Sequence, residues 1–330
     1  MTCCLLVCPF EIPLISGYID IKPSDSANMN IAIINYPYAL QSAVFGLYEL
    51  FEMANSQCQS ATLFKCTILT LDQLNDSPHF EVIILPPSLK DDFYLNPSHE
   101  LLDWLRQQHA HQATLCSACS GAFILAKAGV LEGRQTTTHW ALAGEFQSRF
   151  AHIPLDTQKI LINQGNIITA GGVMSWLDLG LELVAQHAGV SVMTQLGKNL
   201  VVDTGHRSQK YYQQFIPKRN HGDHSIVAAQ LFIDEHYSEK IKMPILANLC
   251  HMSERSFLRR FVQATGFKPS EYLQRLRIQK ACEQLEQTQK SFEAIAIEVG
   301  YEDSSACRKI FVRIITLTPK QFRQRFAKQI

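Results

Sequence analysis

The segment ATLCSACSGAFILAKAGVLEGRQTTTHW (113–140) holds residue types that could do chemistry. The apolar run 113–118 reads as a strand that ends in a sharp turn at Cys119, and Ser120, Gly121 and Ala122 open a helical pattern. Small residues around such a strand–turn–helix junction let the turn residue stand strained and exposed, as a nucleophile must. A helix N-terminus also favours thiolate over thiol. His139 follows twenty residues on. Three readings of Cys119 stay open: part of an effector pocket, a redox-sensing thiol, or a small residue that fits a tight turn. Cys116 and Cys119 have C-x-x-C spacing, but a zinc site needs further ligands and no partner pair stands at a suitable distance along the chain. No metal and no cofactor are expected.

A second constellation is cationic. In MPILANLCHMSERSFLRRFVQAT (243–265), Ile245, Leu246 and Leu249 give one short apolar face. Ser253 can cap the helix that follows, because its hydroxyl accepts a free amide of the first turn. Phe257 and Phe261 form an i, i+4 stripe on that helix, with Arg255, Ser256, Arg259 and Arg260 on its other sides. A short helix, a tight turn and an amphipathic helix with outward Arg is the helix-turn-helix layout. About fifty residues later the pattern returns in SFEAIAIEVGYEDSSACRKIFVR. Gly300 makes the turn, Ser304, Ser305, Arg308 and Lys309 face outward, and Ile310 and Phe311 face inward. The stretch 269–287 between the two reads as one long amphipathic helix able to hold them rigidly apart.

The elements that must position these residues divide the chain in two. Residues 1–205 carry nine basic against eighteen acidic residues, and residues 206–330 carry twenty-one against twelve, although the whole chain is neutral. An acidic part joined to a basic part suits one module that meets a polyanion and one that does not. Ten cysteines scattered through core-like segments argue for a reducing cytoplasm rather than a disulfide framework. No apolar run is long enough to span a membrane. From residue 31 onward apolar strand patterns alternate with helical ones, which predicts a parallel sheet covered on both faces. Residues 1–28 are expected to form a tail, 29–204 the α/β domain, 205–224 a polar linker of weak periodicity, and 225–330 an all-helical domain.

The C-terminal 105 residues or so resemble the DNA-binding domain of AraC-type regulators. The resemblance rests on SERSFLRRF, TGFKPSEYLQRLRI, AIAIEVGYEDSSACRKIF and LTPKQFR in order and at family spacing. It implies that two recognition helices enter successive major grooves, with Arg255, Ser256, Arg259 and Arg260 on the first and Ser304, Ser305, Arg308 and Lys309 on the second meeting bases or phosphates. Two departures stand out. Ile315–Thr316 occupies the place of the usual Thr-Gly, and Cys307 stands where a large apolar residue is common.

The first part, from about Ile31 to Val202, resembles the PfpI-like, class I glutamine-amidotransferase-like fold, and in particular the sensor domain of GlxA-type AraC-family regulators. LAKAGVLEGR, TTHW and the block ITAGGVMSWLDLGLELV (168–184) carry the likeness. In that fold an elbow Cys and a following His form part of a catalytic pair, which would be Cys119 and His139. The rest of the chemistry departs. The first strand–loop has no acid before Glu49, Ser117 replaces the usual elbow Gly, and the donor loop reads Leu85-Pro86-Pro87-Ser88. Proline has no N–H, so Pro87 cannot donate to an oxyanion. The resemblance therefore implies an α/β, flavodoxin-like parallel sheet sandwich followed by an all-α double helix-turn-helix domain. Cys119, Ser120, His139 and Pro87 would line an effector pocket without turnover. The alternative is a cysteine-dependent amidase or glyoxalase-like enzyme, or a thiol redox sensor, using Cys119 and His139. Implied partners are double-stranded promoter DNA, a small-molecule effector, RNA polymerase and a second copy of the chain, with no membrane.

Overall fold

The computed structural model describes residues 28–57, 63–205 and 207–327. The expected tail falls outside them apart from residue 28. Six strands, β1 (Met29–Ile34), β2 (Phe64–Leu69), β3 (Val82–Leu85), β4 (Thr114–Ala118), β5 (Leu161–Asn163) and β6 (Ile167–Ala170), form one sheet. Its order is β2-β1-β3-β4-β6-β5, with every pairing parallel except β5 against β6. The runs Val-Ile-Ile-Leu of β3 and Ile-Ile-Thr-Ala of β6 are buried at every position, as a sheet covered on both faces requires.

Seven helices cover it: α1 (Gln41–Gln57), α2 (Asp91–Leu95), α3 (His99–Ala110), α4 (Gly121–Lys127), α5 (Ala143–Arg149), α6 (Trp176–Ala188) and α7 (Val190–Leu200). Helices α1, α6 and α7 pack together, and α4 packs with α2 and α3. The first group meets through glycine. A Cβ on Gly46 would lie 2.5 Å from the Trp176 ring, and one on Gly180 would lie 3.1 Å from Leu50. The topological switch falls between β1 and β3, which lead away in opposite directions, so the carboxyl ends of β1, β3 and β4 frame a crevice. Cys119 stands at its rim.

The second domain is entirely helical among its described residues: α8 (His224–Glu235), α9 (Met243–Leu249), α10 (Glu254–Thr265), α11 (Pro269–Gln287), α12 (Phe292–Glu298), α13 (Ser304–Ile315) and α14 (Pro319–Phe326). It has two cores. Ile226, Leu246, Phe257 and Phe261 build one, and Ile295, Cys307, Phe311 and Phe322 build the other. Helix α11 belongs to both, giving Tyr272 and Leu276 to the first and Ile278, Ala281 and Leu285 to the second. It is the rigid spacer that its sequence predicts.

Within the expected polar linker 205–224, the described residues 207–224 differ from a free linker. They run as a strap tied to the α/β domain by polar side chains and to both helical cores by aromatic rings. Arg207 grips both carboxylate oxygens of Asp178 on α6. Gln209, 3% exposed, gives its side-chain amide to the carbonyls of Thr138 and Lys159 and takes a bond from the Trp140 amide. Tyr211 is buried in the core of the second helix-turn-helix unit, and Phe215 lies edge-on to Tyr272 in the first, at 5.0 Å between ring centres. The composition is polar because the anchors are single residues, every two to four positions, on an otherwise solvated segment. That spacing matches neither helix nor strand periodicity.

Candidate functional site

The elbow has the strained backbone of a nucleophile turn, but its thiol is buried. Cys119 holds φ +55, a left-handed conformation that side-chain-bearing residues adopt at a cost. Two hydrogen bonds fix it. Its amide donates to the Ala170 carbonyl at 2.7 Å, and its carbonyl accepts from the Thr138 hydroxyl at 2.7 Å. Gly121 lets α4 start close against β3, since a Cβ there would meet the Leu85 carbonyl at 2.6 Å. The thiol, however, is 4% exposed, and burial pushes it up to about 11 despite an amide from Ser120. Desolvation outweighs the helix N-terminus, which belongs to a helix of only seven residues.

The partners are also committed elsewhere. His139 accepts the Ala141 amide through Nδ1 at 3.1 Å, capping the turn 140–142, which leaves its proton on Nε2. Desolvation lowers its affinity for a second proton. Among the described residues no hydrogen bond joins it to Cys119. The Ser120 hydroxyl accepts the Ser88 amide at 2.9 Å, so the donor loop spends an N–H on the elbow. Pro87 is buried, and its carbonyl accepts from Leu40. Tyr36 donates its hydroxyl to the Pro86 carbonyl. The structure thus brings Pro87, Cys119 and Ser120 together as closed packing rather than the open pocket expected of them, and sets half-buried His139 beside it. The large described cleft lies beyond His139. It measures about 1140 Å³ and is walled by Trp140 and Gln158 on one side, Phe215 and Lys218 of the strap, and Arg275 and Arg313 on the other. Iodoacetamide at pH 7.5 is expected to leave Cys119 unmodified in the folded chain, because the thiolate forms only as pH rises towards about 11. Mass spectrometry of the digested protein reads this, and rapid labelling at neutral pH would restore the redox reading.

The cationic constellation is open. Ser253 caps α10 by accepting the Ser256 amide, and His251 makes the turn before it at φ +53. Phe257 and Phe261 are fully buried, which drives Arg255 and Arg259 outward. Both are exposed and neither forms an ion pair or hydrogen bond among the described residues. Ser256 is half-buried in the first turn. Arg260 is different and corrects the expected set. Its guanidinium holds both oxygens of Asp223, the N-cap of α8, at 2.8 and 2.9 Å, so it braces the helix before the motif instead of facing a groove. The reason is helical phase: position 260 adjoins buried Phe261 and Phe257 and faces α8.

In the second unit Gly300 makes the turn at φ +92, where a Cβ would strike the Ser238 carbonyl at 2.4 Å. Asp303 caps α13, accepting the amides of Ser305 and Ala306, while Ser304 is half-buried. Ser305 and Lys309 are exposed. Arg308 bonds Glu293 at 2.8 Å and lies over the Phe292 ring, so it is held at the edge of the face. Cys307 is fully buried in the position that Phe257 fills in the first unit. Thr316 ends α13 at φ +68 with its amide on the Val312 carbonyl, as Gly266 ends α10 at φ +79 with its amide on Val262. The departure from Gly is therefore absorbed in one strained residue and does not change how the helix ends. Thr316→Gly is expected to stabilise the fold by about 1 kcal/mol, read as a higher denaturation midpoint, since a left-handed residue with a side chain costs roughly that much.

The outward face of each helix also carries apolar residues that the sequence reading missed: Leu258 and Val262 on α10 and Val312 on α13. The available signal was spacing: Leu258 and Val262 stand at i+3 and i+7 from Arg255, and Val312 at i+7 from Ser305.

Residues 246–325 match the model of a helix-turn-helix domain, and residues 51–186 match that of the DJ-1/PfpI family. The chain is 26% identical over 224 residues to the HTH-type transcriptional regulator CdhR of Pseudomonas aeruginosa, covering 68% of this chain and 66% of that one. It is 25% identical over 210 residues to the HTH-type transcriptional regulator GlxA of Rhizobium meliloti, covering 62% and 64%. Similarity to the isonitrile hydratase of Pseudomonas putida is 31% over 121 residues, 35% of this chain and 49% of that one. The match therefore spans about two thirds of the two regulators and half of the enzyme.

Proposed function

We infer that this chain, a DJ-1/PfpI-type domain joined to an AraC-type double helix-turn-helix domain, regulates transcription by reading promoter DNA in response to a small molecule. The observation that carries the reading is the pair of recognition helices α10 and α13 fixed by one shared helix. Arg255, Arg259 and Lys309 on them lack any partner among the described residues, and basic residues of this kind neutralise phosphates and read guanine. The direct test is a mobility shift with the DNA upstream of its own and neighbouring genes. A sequence-specific shift that weakens steeply with salt is the expected result, and its absence would overturn the reading.

The first domain acts as a sensor and not as an enzyme in this proposal. Support comes from the protonated thiol of Cys119, the committed Nδ1 of His139 and the missing donor at Pro87. The segment Thr137–Trp140 is where a ligand signal would be passed on. It is tied to the elbow through Thr138 and to the strap through Gln209, and the strap enters both DNA-binding cores. A molecule in the cleft beside Trp140 would shift that segment. The working form is a cytoplasmic homodimer that presents its motifs to DNA and RNA polymerase. Exposed Phe45 and Tyr48 on α1, and Val173 and Met174 just before α6, supply apolar surface for the pairing. Sedimentation equilibrium with Phe45→Glu tests it, with a monomer as the expected outcome for the variant.

A further inference from the structure

The two recognition helices run in register at an offset of fifty residues, fixed by Phe261 with Phe311 inside and Gly266 with Thr316 at the ends. On the outward face this sets Arg255 against Ser305, Leu258 against Arg308, Arg259 against Lys309 and Val262 against Val312. Leu258 is 39% exposed, Val262 40% and Val312 38%. They are not spare core residues, because the inward face is filled by Phe257, Phe261 and Thr265 in α10 and by Cys307, Phe311 and Ile315 in α13. On α10 the apolar pair lies at i and i+4 within a stripe that Arg255 and Arg259 also occupy.

That stripe has a specific chemical complement. A thymine presents a 5-methyl group in the major groove, and apolar side chains distinguish it from cytosine by contact alone. Unpartnered cations beside the apolar pair fit a polyanion and would be unfavourable in an apolar protein interface. We propose that Leu258 and Val262 read thymine methyl groups in the half-site taken by α10, and that Val312 does so in the half-site taken by α13. The proposal rests on the DNA-binding reading above and adds which bases the first unit prefers. Of the two half-sites, the first has the greater methyl dependence, since at position 308 the second carries Arg, itself held by Glu293.

The test separates this proposal from the reading beneath it. Duplexes are first selected from a random pool with the full chain. Each thymine of the selected site is then replaced by deoxyuridine, which removes only the methyl group. Affinity is expected to fall about fourfold per contacted methyl, the worth of burying one such group. The doubly substituted Leu258→Ala, Val262→Ala chain should lose that sensitivity in the first half-site while keeping its melting temperature, since both residues are exposed. Equal affinity for thymine and uracil duplexes would overturn the methyl reading and leave DNA binding standing. If the alanine variant also binds DNA unchanged, the stripe faces a protein. Failure to select any sequence would overturn the DNA-binding reading itself.

Discussion

Alanine at Arg255 or at Arg259 is expected to weaken binding of the selected duplex by about 5- to 150-fold without lowering the melting temperature. The range follows from the 1–3 kcal/mol that one bidentate base contact contributes to discrimination. Both guanidinium groups lack a partner among the described residues, so removal costs the folded chain nothing that the structure records. Fluorescence anisotropy against salt distinguishes two roles. A base reader loses discrimination between sites, whereas a phosphate contact weakens all sequences alike and lowers the salt slope by about one. Arg260→Ala is the internal control. It should leave affinity for DNA nearly intact and lower the midpoint of unfolding, because Asp223 loses its partner at the start of α8. That stabilisation has a pH signature. Arg260 holds the Asp223 carboxyl below the usual range, so the contribution is present above the ordinary carboxylate pKa and lost as pH falls through the lowered one. Unchanged affinity in both Arg255→Ala and Arg259→Ala would remove α10 from the DNA interface.

Release of the strap should have the next largest effect. Gln209→Ala deletes the amide that satisfies the carbonyls of Thr138 and Lys159 and the amide of Trp140, all at an almost fully buried position. The Lys159 and Thr138 carbonyls keep the Thr137 hydroxyl, but the Trp140 amide loses its partner, at an expected cost of about 1–3 kcal/mol. Gly171→Ala should reach the same state by another route, since its Cβ would stand 1.9 Å from the Gln209 amide nitrogen and 2.6 Å from the Thr138 carbonyl. Hydrogen exchange over 207–219 reads both variants directly. Protection should be lost there first, while the amides of β1 and β3 keep theirs. If exchange over the strap is unaltered in both, Gln209 is not what holds the two domains together.

Much of this arrangement was legible in the residues. Strand runs such as FEVIILP and the period of α1 are strong local signals, because burial on both faces or on one stripe leaves little choice of residue. The double motif was legible for the same reason: Phe257 and Phe261 recur as Cys307 and Phe311 at a fixed offset. Short helices α2 and α5 were not, as five to seven residues carry too few turns to show a period. The strap escaped because its anchors are isolated side chains whose partners lie as far as 72 residues away. Arg260 and Arg308 looked like readers because an ion pair across elements leaves no mark on local spacing. The state of Cys119 stays open in the sequence, because the helix start alone does not fix it. Its burial is set by β3, β6 and the 137–139 segment, which only the assembled fold brings to it.

The strap also decides where this protein can be cut. A boundary at residue 225, the natural choice from composition, would separate the DNA-binding half from Tyr211 and Phe215, two rings that belong to its own cores. The shortened chain would carry a slot in each unit and expose apolar surface there, inviting self-association. A fragment meant to fold alone should begin before Tyr211, and a graft onto another sensor should carry the strap with it as part of the reader.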